Sequence, residues 1–153
     1  EQGTGMLFNM DGEVVGMISS SVWNDTGKNV VNAYGISDLK PIIELLINGK
    51  SVPYIGIYGT TVTEQLAEEH KMPSGIYVAD VDPDSPAMAA GIQIGDIICE
   101  ASGEEIKDIA AYQNIVIGSS VGETMEFVGK RLGSDGYVNI KFSVVTTEKE
   151  EVK

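Results

Sequence analysis

The chain offers few of the side chains that catalysis or metal binding requires. It holds one histidine, His70, and one cysteine, Cys99, among its 153 residues. Acyl transfer needs a nucleophile, a base and an orienting carboxylate, and a zinc site needs several His or Cys ligands. Cys99 lies in the apolar run 97–99, which is typical of a buried strand. We therefore predict no catalytic triad, no metal site and no cofactor in this chain.

The backbone at Tyr54-Ile55-Gly56-Ile57 can do a different kind of chemistry. A tight turn around a glycine can point successive amide hydrogens to one side, where they form a concave site for an anion. If the strand that follows, through Gly59, has a free edge, an extended peptide can add to it by main-chain hydrogen bonds. Taken alone, the segment is more typical of a strand end with a bulge glycine.

The segment before this turn predicts a small group of strands and one helix. Asp11-Gly12 is a strong hairpin signal, because this pair readily adopts the positive φ angles of a tight turn. Ser37 or Asp38 can cap the helix, and Gly49 fits the position just past its end. The predicted strands cover residues 6–10, 14–19 and 30–36.

The segment after residue 50 alternates short strands with short helices. Thr61 to Glu64 resembles a capping box, Ser85-Pro86 opens a short helix that Gly91 closes, and Gly95-Asp96 forms a turn. The other predicted elements are strands at 76–81 and 97–101, a helix at 108–117, and a hairpin of 125–131 with 137–146. The pattern favours an α+β, β-rich fold: a partly open β-barrel or sandwich with two to three helices.

The net charge of −13 excludes two classes of partner. Nucleic acids and anionic membranes bind proteins that present many Lys and Arg residues, so neither is expected here. No apolar run approaches the ~18 residues that a membrane-spanning helix needs. The acidity is most simply explained by solubility.

Four short motifs in order identify the second segment. Asp84-Ser85-Pro86-Ala87, Ala90-Gly91-Ile92, Gly95-Asp96-Ile97-Ile98 and Ser102-Gly103-Glu104-Glu105-Ile106 resemble the PDZ domains of HtrA (DegP- and DegS-like) trypsin-like serine proteases. Their order and spacing hold over more than twenty residues. The sequence departs from the family at Ser102, where asparagine is usual. The resemblance implies a PDZ domain at 50–148, followed by a charged tail at 149–153.

The same resemblance implies a peptide-binding site. Tyr54 to Ile57 is similar to the family's carboxylate-binding loop, and the helix at 108–117 would form the opposite wall of a groove. On that helix we expect Ile109 to face the core, while Tyr112 is left open. The predicted peptide-binding residues are Tyr54, Ile55, Gly56, Ile57, Tyr58, Gly59, Gln113 and Val116.

Residues 1–49 resemble the end of the family's protease domain and its linker helix. The position of the family's catalytic serine falls on Gly3 or, with one residue deleted, on Thr4. The family's other triad residues would lie upstream, and the chain starts without a methionine, so we expect it to be part of a longer protein. Gly3 favours a pseudoprotease as the parent, and an active endopeptidase in protein quality control is the alternative.

The sequence is compatible with three functions. The leading hypothesis is a module that binds hydrophobic C-termini or unfolded segments and regulates or supplies a neighbouring protease domain. The chain would otherwise belong to an active endopeptidase, or serve assembly alone. Apolar strands in residues 1–50 predict self-association. The resemblance implies an extracytoplasmic location, in the periplasm or at the cell surface.

Overall fold

A computed structural model describes residues 4–18 and 33–148 of the chain. The chain forms two compact units, Glu1–Lys50 and Ser51–Lys153. Of the two residues proposed for the nucleophile position, Gly3 lies outside the described residues and Thr4 is exposed. The predicted charged tail at 149–153 also lies outside them.

The first unit contains an antiparallel sheet of strands β1 (Gly5–Phe8), β2 (Val14–Ile18) and β3 (Tyr34–Gly35), in that order. The predicted hairpin is confirmed: Gly12 has a φ of +81°, and the side chain of Asn9 closes the turn. Its Oδ1 accepts hydrogen bonds from the amides of Asp11 at 3.0 Å and Glu13 at 2.9 Å.

Helix α1 (Ile36–Ile47) begins earlier than the sequence suggested. The prediction that Ser37 or Asp38 caps it is wrong, because Gly35 is the capping residue and no side chain accepts a hydrogen bond there. The predicted end is confirmed. Gly49 has a φ of +65°, and the amide of Lys50 donates to the carbonyl of Leu45 at 2.9 Å, which is the pattern of a Schellman motif.

The second unit is built on one open six-stranded antiparallel sheet. Its main path runs β10 (Gly136–Val145), β9 (Thr124–Gly133), β7 (Ile97–Ala101), β6 (Gly75–Val81) and β5 (Ile57–Val62). A short strand β8 (Glu104–Glu105) pairs with β7, and β4 (Pro53–Tyr54) pairs with β11 (Thr147–Glu148). The helices are α2 (Glu64–His70), α3 (Pro86–Ala89) and α4 (Ile109–Gly118). The predicted α+β, β-rich class is confirmed.

The core lies between this sheet and helices α3 and α4. Phe127 and Met125 of β9 pack with Ile76 and Val78 of β6 and with Ile98 of β7, and all five are essentially inaccessible. Burial along β10 decreases toward the hairpin turn. Val144 is buried, whereas Val138 near the hairpin turn is 53% exposed.

Local signals placed α3 and α4 correctly. The side chain of Ser85 accepts from the amide of Met88, and that of Asp108 accepts from the amide of Ala111. The capping box predicted at Thr61 is wrong: Thr63 caps α2. Thr61 Oγ1 instead accepts from the amide of Ile109 at 3.0 Å, so it joins β5 to the start of α4.

An ion pair between buried Asp96 and partly exposed Arg131 joins the turn before β7 to β9. Asp96 is fully buried, and its carboxylate accepts from Arg131 Nε at 2.6 Å and from Arg131 Nη2 at 2.7 Å. The amide of Gln93 donates to the same carboxylate at 2.9 Å, and Arg131 Nη2 also reaches the carbonyl of Gly91 at 2.9 Å. Bidentate geometry of this kind fixes both segments together.

Cys99 lies in β7 and is half-buried, which raises the pKa of its thiol. Within residues 4–18 and 33–148, no three His, Cys, Asp or Glu residues come together as a metal site. In the same described part, no helix is long and apolar enough to cross a membrane.

Candidate functional site

The turn between β4 and β5 depends on Gly56. Its φ of +87° lies in the region that favours glycine, and its backbone is buried. A Cβ at this position would come within 2.3 Å of Ser85 Cβ and within 2.6 Å of Ser85 Oγ. The absence of a side chain therefore lets the turn pack directly on the start of α3.

The loop 82–87 is hydrogen-bonded to one side of the turn. The amide of Ala87 donates to the carbonyl of Ile55 at 2.9 Å, and the amide of Asp82 donates to the carbonyl of Gly56 at 2.9 Å. In a trans peptide unit the carbonyl and the next amide point in opposite directions. The amides of Gly56 and Ile57 consequently point away from this loop, toward the open side of the turn.

Strand β5 continues this open side as the edge of the sheet. Ile57 lies opposite Val81 of β6, and the bond from the Asp82 amide to the Gly56 carbonyl flanks that pair. Such a pair is of the non-hydrogen-bonded kind, in which both residues turn their own amide and carbonyl outward. Ile57 therefore offers a donor and an acceptor to an added strand.

The side chains of the turn belong to the core although part of its backbone faces outward. Ile55 and Ile57 are buried in the same cluster as Tyr112 and Val116 of α4. Helix α4 lies against β4 and β5, the two strands that flank the turn.

Asp82 links the loop to the strands on both sides of the turn. Its Oδ2 accepts a hydrogen bond from the hydroxyl of Tyr54 and another, at 2.8 Å, from the hydroxyl of Tyr58. Burial, followed by the hydrogen bond to Asp82, raises the pKa of Tyr54. Tyr54 therefore remains a neutral donor, and Asp82 fixes the phenols that flank Gly56.

The structure brings most of the predicted site residues together. Tyr54 to Gly59 form the turn and the first part of the edge strand. On α4, Gln113 is exposed, whereas Val116 is part of the core with 7% of its surface accessible. Tyr112, which the sequence left open, is buried, and this burial raises its pKa. Ile109 packs partly buried against the core.

Two residues that support the site were not predicted as part of it. Ser85 was recognised as a helix start but not as the surface on which Gly56 packs. Asp82 gave no signal, because its partners Tyr54 and Tyr58 lie 28 and 24 residues away in the sequence.

A cavity of about 900 Å³ borders the loop 82–87. It is lined by Tyr54, by residues 82–86, and by residues near the C-terminal strands, but by no residue of β5 or α4. This cavity is therefore separate from the open edge of β5.

Comparisons with known proteins show similarity to PDZ domains and to serine proteases. Residues 77–131 match the family described as PDZ domain. A probable periplasmic serine endoprotease, DegP-like, from Halomonas elongata is 31% identical over 142 residues, which cover 89% of this chain and 30% of the relative. The serine protease Do-like HtrA of Bacillus subtilis is 30% identical, over 96% of this chain and 34% of the relative. The chain thus spans about a third of the length of these relatives.

One solved structure is similar over most of its own length. The HtrA3 PDZ domain, determined with a phage-derived ligand (FGRWV), is 33% identical, with a TM-score of 0.52. The match covers 61% of this chain and 84% of that domain.

Proposed function

Because this chain belongs to the HtrA family of serine proteases, of which it carries a PDZ domain, we propose that it binds the C-terminal carboxylate of hydrophobic peptides. The observation that carries the proposal is that the carbonyls of Ile55 and Gly56 both accept hydrogen bonds from the loop 82–87. The next two amides, those of Gly56 and Ile57, are thereby directed to the open edge. Two amides in a glycine turn suit a carboxylate, and the edge suits an extended chain.

The proposed site consists of the turn, the edge strand and α4. The carboxylate accepts from the amides of Gly56 and Ile57. The peptide backbone pairs with β5 along Tyr58 and Gly59, and Gln113 and Val116 of α4 border the last side chain. The HtrA3 PDZ domain, whose ligand FGRWV ends in an apolar residue, supports this choice of ligand.

Calorimetric titration with short peptides tests the proposal. Peptides that end in Val, Leu or Phe with a free carboxylate should bind, and their C-terminally amidated counterparts should not. The reason is that amidation removes the charge and an acceptor oxygen that the amides require. Equal binding of free and amidated peptides would contradict the proposal.

Nuclear magnetic resonance adds a control at the level of single residues. The amide signals of Gly56 and Ile57 should shift strongly when peptide is added, because they become donors. The amides of Asp82 and Ala87 already donate within the domain and should shift less. Strong shifts at Asp82 and Ala87 alone would place the ligand elsewhere.

In the parent protein we infer a regulatory or substrate-delivering role for this module. We assign residues 50–148 to the PDZ domain and residues 1–49 to the end of a protease domain. Both relatives are named as serine proteases, one of them as a probable periplasmic endoprotease, which supports a protease-like neighbour and an extracytoplasmic location. The sequence of this chain supplies a single histidine and, at Gly3 or Thr4, no serine, so the proposed activity of the chain itself is binding.

We also propose that residues 1–50 mediate self-association. Met6 and Phe8 are 64% and 60% exposed, and Val15 and Met17 of the neighbouring strand are exposed as well. Exposed apolar side chains on a short open sheet favour pairing with a second copy.

A further inference from the structure

The direction of a bound peptide follows from the position of the amide pair. Gly56 and Ile57 lie at the start of β5, so a terminal carboxylate held there places the end of the peptide at the start of this strand. The peptide then runs antiparallel to β5. Its last residue lies opposite Ile57, and its second-to-last residue lies opposite Tyr58.

Alternation along strands assigns these two peptide side chains to different faces of the sheet. Directly opposite residues share a face. The last side chain shares the face of Ile57, which is buried toward α4 and the core. The second-to-last side chain therefore lies on the face of Tyr58, whose side chain is 44% exposed.

The face of Tyr58 is acidic next to the open edge. Tyr58 pairs directly with Asp80 of β6, which is exposed, and its hydroxyl donates to Asp82 Oδ2 at 2.8 Å. The strand register places the basic residues Lys130 and Lys141 on this face too, but on β9 and β10, three and four strands from β5. At a strand spacing of about 4.8 Å, both start well over 10 Å away.

A basic side chain at the second-to-last position of the peptide suits this face in two ways. Its stem can lie along the ring of Tyr58, where the cation is attracted by the aromatic face. Its charged end can then approach the carboxylates of Asp80 and Asp82, whereas an acidic side chain at the same position is repelled.

From this arrangement we infer that the site selects Lys or Arg at the second-to-last position of the peptide. This preference rests on the proposed peptide binding and adds a second specificity element to it. Tyr58, Asp80 and Asp82 are the residues that set it, on the face opposite to the one that receives the last side chain.

The test uses three peptides with the same apolar last residue and an otherwise uncharged sequence. They carry Lys, Ala or Glu at the second-to-last position, and calorimetry measures the dissociation constant of each. We expect the order Lys, Ala, Glu from tight to weak, with Lys favoured over Glu by roughly fivefold at low salt, the scale of two exposed charge interactions. Added salt should reduce this ratio.

Two variants with the same change of charge locate the effect. Asp80→Asn should lower the ratio of Lys to Glu affinity, and it keeps the side-chain oxygen that accepts from the amide of Val81. Asp135→Asn, in the turn between β9 and β10, should leave the ratio unchanged. An unchanged ratio in Asp80→Asn would overturn the assignment to this face.

The outcomes separate this inference from the proposed function. If all three peptides bind with equal affinity, the preference is overturned and peptide binding stands. If circular dichroism shows folded protein and no free-carboxylate peptide binds, the proposed function is overturned together with the inference.

Discussion

Gly56 combines a backbone and a packing requirement at one residue. Replacement by alanine would force a left-handed conformation on a residue with a Cβ and press that Cβ onto Ser85. We expect Gly56→Ala to lower the free energy of unfolding by about 3 kcal/mol, since the left-handed backbone costs about 1–2 kcal/mol and overpacking adds a similar amount. Urea denaturation measures this loss.

Gly91 provides the matched control for that substitution. Its φ of +88° is almost the same, but a Cβ there would meet nothing within 4 Å. Gly91→Ala should therefore show the backbone cost alone, about 1–2 kcal/mol. Equal losses in the two variants would mean that contact with Ser85 contributes nothing.

Arg131 neutralises a carboxylate that has no access to water. We expect Arg131→Met to lower the free energy of unfolding by about 3 kcal/mol, because it leaves the buried charge of Asp96 without its partner. Adding Asp96→Asn should recover part of the loss. Lys130→Met, at the adjacent residue, is the control. It should lower the free energy of unfolding by less than about 0.5 kcal/mol, as most surface substitutions do. A similar small effect in Arg131→Met, measured by urea denaturation, would contradict this account.

At the scale of elements, the hairpin of β7 and β8 turns through Ser102-Gly103. Their φ angles of +49° and +84° are those of a type I′ turn, in which asparagine is preferred over serine at the first position. Ser102→Asn should stabilise the domain by about 0.5 kcal/mol, a fraction of the cost of a left-handed residue. Thermal unfolding gives the comparison. Ser134→Asn, in a turn where the serine has no positive φ, should be neutral, and a destabilised Ser102→Asn would be the contrary result.

The sequence predicted elements well where the signal is local. The cap at Ser85, the turn at Gly95-Asp96 and the end of α1 at Gly49 each depend on neighbouring residues, and each was found. Thr61 was misassigned because its hydroxyl bonds to the amide of Ile109, 48 residues away. A spacing of three residues to Glu64 could not reveal that competing partner.

In the candidate site, too, features that depend on neighbouring residues were predicted and those that depend on distant residues were not. The glycine turn was predicted through the resemblance to the family's carboxylate-binding loop, because the segment taken alone is more typical of a strand end with a bulge glycine. The direction of its amides was not, since it depends on donors from Asp82 and Ala87 in a separate loop. The rotation of α4 was also beyond reach, because Tyr112 and Val116 fit an apolar face in more than one orientation.

At the scale of the whole molecule, self-association through residues 1–50 is the main expectation. Light scattering after size-exclusion chromatography should show a mass above that of one chain, increasing with concentration. The double change Met6→Lys and Phe8→Lys should shift the protein toward monomer by adding charge to the exposed strand. Ile47→Lys, at an exposed position on α1, should not. A monomer at every concentration would rule the proposal out.

The turn at Gly56 has a consequence for how this protein can evolve. Ile55 and Ile57 contribute their side chains to the core, while the peptide units on either side of Gly56 direct their amides to the open side of the turn. Binding of the proposed peptide should therefore raise the melting temperature, and mutations in the turn should alter stability and affinity together. New specificities are more accessible through Tyr58, Asp80 and Gln113, whose exposed side chains can change while the core remains intact.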